Sequence, residues 1–491
     1  MQETVVKLLS SPCVDVDGGE ISLPYQSLVY LLGTLKNLTD EEKARQQASG
    51  LVIIVSVLMP APQTPLPPDY VNNSRAQVMI QATGILRNYA GEKTFLSDML
   101  VGKVVERGLR ALDLFFEHPE LVFNISRVLS KLSMEEKCCR IMLDKANLYS
   151  SIALLHRVLI AYSEHSAVVS RLGFTLANLA MLYEEVRAVL GAEGFDALTD
   201  TVLLSYAQME GGSRAHFDAL LKTIRLLANI VMDAETGAEM MKGGCAVASL
   251  AKVMQTYLNK HEEMTLITVS CLANVLFYDS PSRPVVPETT VRVGLVRLLA
   301  QCLVQTDNFE ITREALRALS NLTRHESAAK EIGQIHAIEP LMLLLDHSSS
   351  EVVFYSLGCL TNISHLAKEL VYSEYCFERF VTLLSESGVL AVDISLQVSM
   401  VLSNLCSPTK GFVPWEGVAG EEAVKRLTSL VATLLAAGQG RDSATQLLSV
   451  LKTLKEAMPG DLLPCPVAGC GRKFASQEKL KEHWERRHNA G

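Results

Sequence analysis

The sequence predicts an all-α protein, a solenoid of about ten helical repeats, and three observations carry that expectation. First, a four-residue signature, Leu-x-Asn-apolar, stands at Leu319-Ser320-Asn321-Leu322 and returns at intervals of 41 to 51 residues. Its Asn slot is filled by Asn37, Asn88, Asn178, Asn229, Asn274, Asn321, Asn362 and Asn404, with Lys131 and Thr453 where only the flanking leucines persist. Second, before Asn321 the residues Ile311, Ala315, Ala318, Leu319 and Leu322 recur at spacings of three and four, an unbroken apolar stripe on one helix face. Third, no run before residue 460 alternates as a strand would. A unit of this length buries its apolar face only against a neighbouring copy, and the product is a stack.

Taken in order, the first copy closes at Asn37, and Asp40-Glu41-Glu42 opens the next helix with acids where the helix dipole favours them. A Pro-rich stretch at 58–69, with Pro60, Pro62, Pro65, Pro67 and Pro68, forbids helix and reads as a loop. The third copy places Lys131 in the slot and is followed by Cys138-Cys139. Insertions at 205–215, 280–288 and 407–421 absorb the excess spacing of the later copies; the last holds Trp415, expected to pack back on the stack. The repeat region spans 1–457, residues 458–464 form a linker, and 465–488 read as a separate small module.

Blocks such as Gly333-Gln-Ile-His-Ala-Ile-Glu-Pro-Leu-Met-Leu-Leu-Leu345, followed by the helix ending Leu360-Thr361-Asn362-Ile363, resemble armadillo repeats. The resemblance implies three helices per repeat, a right-handed superhelix, and third helices lining a concave groove that holds extended peptides. The stretch Phe115 to Leu132 with Cys138-Cys139 is similar to the armadillo repeat-containing protein 2 family of motile cilia. That similarity implies a scaffold or adaptor of the axoneme or of its assembly, in radial-spoke-type complexes.

Apolar residues make up 48% of 491, while Gly and Pro are not elevated, so most of the chain is expected to fold. The start lacks a basic and apolar leader, and the longest apolar run, Leu51 to Met59, is too short to span a bilayer. A soluble, intracellular protein without membrane contact is expected. Cys271, Cys359 and Cys406 sit on apolar helices just before the signature and read as buried thiols, not disulfides. The net charge is −9, and the last 27 residues carry six Lys or Arg against three Glu, which leaves 1–464 at about −12. An acidic stack disfavours nucleic acid as a general partner.

The module at 465–488 has the spacing Cys465-x4-Cys470-x12-His483-x4-His488, which fits a ββα zinc finger holding one Zn2+ between two thiolates and two imidazoles. A lone finger of this kind is expected to contact protein or cap the stack. A nuclear co-regulator, with the repeats binding protein and the finger touching nucleic acid, is the alternative function.

Positions four and seven residues before each slot share its helix face. Arg127 with Lys131, then Arg171, then Lys222 with Arg225, form a basic ridge in an acidic chain, and Arg317 continues it beside Glu314. With Asn178, Asn229, Asn274, Asn321, Asn362 and Asn404 they make up the expected partner-binding groove, suited to an extended acidic segment. The slot amides have two readings: holding a peptide backbone, or bonding local backbone at the helix end. The position four before each Asn holds no Trp, unlike nuclear-import adaptors of armadillo type, so basic import signals are not the expected cargo. No phosphate loop, zinc-protease pair or nucleophile elbow is present, and no enzymatic activity is expected.

Overall fold

The structure is a computed structural model that describes residues 24–47, 50–62, 65–66, 70–143, 148–193, 197–208, 212–233, 245–284, 286, 289–371 and 392–406. It also describes residue 237 and short pieces within 375–383, 425–452 and 463–483. The chain divides into two compact units, Met1–Val253 and Met254–Gly491.

In unit 1 the signature closes five helices: α1 (Tyr25–Leu38), α2 (Asn73–Tyr89), α3 (Pro119–Leu132), α4 (Ser166–Leu182) and α5 (Arg214–Ile230). Each packs on the next, so that α1 to α5 form one row. Unit 2 repeats the pattern with α6 (Glu262–Leu276), α7 (Phe309–Leu322), α8 (Ser350–Leu366) and α9 (Val392–Cys406), again packed in sequence. Other helices such as Val104–Leu114, Leu148–Ala161 and Thr289–Gln305 pack behind them.

The signature explains the packing. The residues two before and one after each slot are buried from the second copy on: Leu86 and Tyr89, Leu129 and Leu132, Leu176 and Leu179, Leu227 and Ile230, and their equivalents through Leu402 and Leu405. The slot itself lies between these two core contacts, turned toward the neighbouring helix of the row, and is half-buried at Asn88, Asn178, Asn229, Asn321, Asn362 and Asn404. Helix starts are set by caps where the sequence provides them: Asn72 accepts from the Arg75 N–H at 2.9 Å, and Asn308 from Glu310 at 2.9 Å. Cys138, Cys139, Cys271 and Cys359 are buried free thiols, each pushed above the usual thiol range by loss of hydration; Cys271 reaches about 12. The Cys406 side chain lies outside the described residues.

Two loops differ from the sequence expectation. Residues 204–208, partly inside the segment taken as an insertion, form a helical turn continuous with a π-helical stretch at Leu198–Leu203. The Pro-rich loop is anchored, because Leu58, Met59 and Ala61 are buried and the Met59 carbonyl accepts from Arg107 at 2.9 Å. The insertion at 407–421, with Trp415, lies outside the described residues.

The C-terminal zinc finger is not retained. Among the described residues no group of three or more His, Cys, Asp or Glu side chains is placed to hold a metal ion. Of the expected ligands, Cys465, Cys470 and His488 lie outside the described residues, and His483 alone is described. What is described there is a two-residue antiparallel pair, β1 (Leu463–Pro464) with β2 (Lys473–Phe474), Leu463 facing Phe474. Ligand spacing fixes only how far apart donors lie along the chain, whereas a zinc site needs four donors converging on one point. Among the described residues, Zn2+ and the ββα module therefore have no assigned place.

Candidate partner-binding face

The face formed by the signature helices is knitted by side chains reaching back one repeat. Asn88 Nδ2 donates to the Lys36 carbonyl (3.0 Å), Asn229 to Ala177 (2.9 Å), Asn321 to Ala273 (3.3 Å), Asn362 to Ser320 (2.8 Å) and Asn404 to Thr361 (3.1 Å). Lys131 does the same with its ammonium, reaching the Arg87 carbonyl at 3.0 Å. Every acceptor is the residue just before the preceding slot; Lys36, Arg87, Ala273 and Ser320 lie in the last turn of their helices, whose carbonyls lack an intrahelical partner, whereas Ala177 and Thr361 lie about a turn further in. The slot thus bonds backbone near the helix end of the neighbouring repeat.

A second contact appears wherever the residue two after the preceding slot carries a hydroxyl. Asn88 also donates to Thr39, Asn178 to Ser133, Asn362 to Thr323 and Asn404 to Ser364, at 3.1 to 3.2 Å. Each of these hydroxyls donates in turn to its own helix, Thr39 to Leu35 and Ser364 to Thr361, for example. Where the residue is Ala90 or Ala180, only the carbonyl contact is made. Asn274 also accepts: its Oδ1 takes a hydrogen bond from Arg317 at 2.8 Å. The functional signature is therefore Leu-x-Asn-apolar-(Ser/Thr), and the last position was missed in the four-residue reading.

The basic residues divide into two groups. In unit 2, Arg317 is engaged by Glu314 at 2.6 Å, a carboxylate that is itself buried and also pairs with Arg313. In unit 1, Lys222 lies 4.0 Å from Asp218 and over the Phe174 ring. Arg87, Arg127, Lys131 and Arg171, by contrast, have no ion-pair partner among the described residues. Arg171 is held by stacking on Phe123, 3.8 Å from the ring centroid, and donates to the Phe123 carbonyl at 2.8 Å. Burial first, and then the charges of Arg127 and Arg87, bring it down to about 10. Lys131 is lowered by burial and then by Arg127, Arg87 and Arg45, with Glu92 opposing; Arg87 is lowered by burial and Arg127, with Asp40 opposing. Arg127 itself is exposed. Arg87, Lys131 and Arg171 are thus all lowered, with the charge of exposed Arg127 among the causes in each, which marks a focus of positive potential on α2, α3 and α4. Arg87 was not among the residues read from the sequence: it stands one before its slot, and it joins the cluster through Asn124 of the next repeat (3.3 Å).

The position four before the slot is glycine at Gly33, Gly84 and Gly358. A Cβ on Gly84 would stand 2.7 Å from Cδ of Lys36, so glycine there lets the Lys36 chain cross the helix. A cleft of about 1340 Å3 on the other helices of unit 1 is lined by Arg107, Arg110, Asp113 and Arg157. Its charges are used internally, by Met59 and Ala61 carbonyls and by an Arg157–Asp113 pair at 2.6 Å.

The Armadillo/beta-catenin-like repeat profile matches residues 284–324, the segment leading into and through α7. The chain matches armadillo repeat-containing protein 2 of Mus musculus at 23% identity over 300 residues, 58% of this chain and 34% of that one. With the Bos taurus protein of the same name the identity is 21% over 433 residues, 84% of this chain and 49% of that one. The chain spans half or less of the length of these relatives. A solved structure from work on the phosphorylation switch that controls the interaction between cadherin and beta-catenin superposes with a TM-score of 0.67 at 14% identity, covering 92% of this chain and 82% of that one. The fold is of the armadillo type. No helix among the described residues is long and apolar enough to cross a membrane.

Proposed function

We propose that the signature-helix face of unit 1 is a groove that docks an extended acidic segment of a protein partner, and that the chain serves in the motile-cilium axoneme or in its assembly. The observation that carries the first half is the cluster of Arg87, Arg127, Lys131 and Arg171, without carboxylate partners among the described residues, in a chain of net charge −9. Cations gathered on one face gain most from an incoming carboxylate, whose oxygens form charge-assisted hydrogen bonds with several of them. The slot amides of Asn88, Asn178, Asn229, Asn321, Asn362 and Asn404 belong to the scaffold in this reading, since their donors are spent between repeats. The ciliary half rests on the similarity to armadillo repeat-containing protein 2, whose family resemblance implies radial-spoke-type complexes and an axonemal or cytoplasmic location.

The test uses the full chain and an Arg127→Glu/Arg171→Glu variant as baits on an extract of motile cilia. The variant's melting temperature is checked first. The native chain is expected to retain axonemal proteins and the folded variant to lose them. Retention of the same proteins by both would remove the docking role from this face, and retention of none by the native chain would remove the ciliary one.

A further inference from the structure

Beside the basic cluster runs a second line of side chains that the acidic-segment reading leaves unused. Three residues after the slot, the chain places Met134 and Met232 in the turns that close α3 and α5, and Met181 in the last turn of α4, and they are 60%, 57% and 67% exposed. The backbone holds them alike: the Met134 N–H reaches the Lys131 carbonyl at 3.4 Å, and the Met232 N–H reaches Asn229 at 3.3 Å. Large apolar side chains left this open at equivalent places in consecutive repeats mark an interaction surface, and unbranched thioethers suit varied apolar partners. The matching places in unit 2 hold Phe277, Arg324 and His365, so methionine recurs only where the cations do.

Positions seven and four before the slot share a helix face with it, within an arc of about 60° at 100° per residue, and the residue three after it follows at the C-terminal end of the helix. Along each of the three helices the order therefore runs from cation through the slot to methionine: Arg127, Lys131, Met134; Arg171, Asn178, Met181; Lys222, Asn229, Met232. Cation and methionine are separated by seven to ten residues, about 10–15 Å along the helix. Because the helices lie side by side, like positions line up across them as two lanes on either side of the slot row.

We infer that the partner segment is an extended strand whose side chains alternate acidic and large apolar, the acids meeting the cation lane and the apolar groups the methionine lane. This rests on the acidic-segment reading and sharpens it. An extended chain laid along the slot row points successive side chains to opposite sides, which are the two lanes. Packed helices lie 8–10 Å apart, so three of them span a segment of about nine residues at 3.3 Å per residue. A purely acidic tail uses one lane only, and an uncharged apolar strand leaves the cations unpaired.

The test is fluorescence anisotropy on the full chain with two labelled peptides of identical composition, about nine to twelve residues long. In one, Glu and Leu alternate; in the other, all Glu precede all Leu. The alternating peptide is expected to bind at least about tenfold more tightly. A Met134→Gln/Met181→Gln/Met232→Gln variant, at exposed positions and checked by thermal melt, is expected to abolish that preference while leaving the block peptide's affinity unchanged. Equal affinity for both peptides, or a preference that survives the triple substitution, overturns the two-lane inference and leaves the acidic-segment reading standing. Binding of neither peptide overturns both.

Discussion

Asn362 shows what a slot side chain contributes. Its amide donates to the Ser320 carbonyl and the Thr323 hydroxyl, both on the preceding helix of the row, and neither acceptor is freely hydrated. Asn362→Ala is expected to cost about 1–3 kcal/mol in urea unfolding, because it strips a partner from buried polar groups. Asn37 is exposed and begins the described row, and Asn37→Ala is expected to stay within about 0.5 kcal/mol. Equal losses at the two positions would remove the ladder from the account of stability. His156 is a different case: it is buried on the helix Leu148–Ala161, and loss of hydration lowers its pKa below the usual 6.5, only partly offset by Glu193. A group whose folded pKa lies below its unfolded one supports the fold at pH above the unfolded value and loses that support as pH falls below it. Stability should therefore decline below about pH 6.5, by at most about 1.4 kcal/mol per pH unit from this residue. His156→Gln should flatten that slope in melts between pH 7.5 and 5.5. At this scale the sequence was partly readable. The leucine slots announced their burial by period alone, whereas the amide acceptors lie 39 to 52 residues away and depend on how repeats stack. The sequence leaves two readings of the Asn open, peptide holder or local cap; the described amides bond backbone or hydroxyls of the neighbouring repeat.

The helix is the element on which core and face separate. On α7, Ile311, Ala315, Ala318, Leu319 and Leu322 are buried, while Arg313, Arg317 and Asn321 are half-buried on the other edge. Leu319→Ala is expected to cost about 2–5 kcal/mol in urea unfolding. Arg317 does more than a solvated surface charge would, because Glu314 beside it is only 8% exposed and Asn274 accepts from it. The insertion after α6 is also fixed by charge. Asp279 is fully buried, 2.8 Å from His325, and its Oδ1 accepts from the Val286 N–H at 3.4 Å. Burial first lowers His325, with Arg292 and Arg324 adding to the effect and Asp279 opposing it. Asp279→Ala is expected to destabilise by about 3–5 kcal/mol, leaving Arg292 buried without a counter-charge. A loss below 1 kcal/mol, roughly the worth of an exposed pair, would mean the insertion is not anchored there. The sequence marked this loop by its prolines, but no pattern in it tied Asp279 to a histidine 46 residues on, since that contact exists only once two helix ends meet.

For the whole molecule, repeat period and composition were sufficient for the armadillo-type fold, because each repeat needs only its neighbour and the pattern recurs nine or ten times. Local spacing at Cys465, Cys470, His483 and His488 misled, since it counts residues along the chain without bringing donors together. The basic ridge was read as five residues of like standing, yet Lys222 is tied to Asp218, while Arg87, absent from that reading, joins Arg127, Lys131 and Arg171. The account stands or falls on the sign of the charge that this face prefers. The most direct measurement titrates the full chain with two labelled extended peptides, alike in length and apolar positions, one carrying Glu and the other Lys, at low and at physiological salt. The acidic peptide is expected to bind and to weaken as the screening length shrinks toward about 8 Å, while the basic one fails to bind unit 1. Preference for the Lys peptide, as the overall charge of −9 taken alone would dictate, would contradict it.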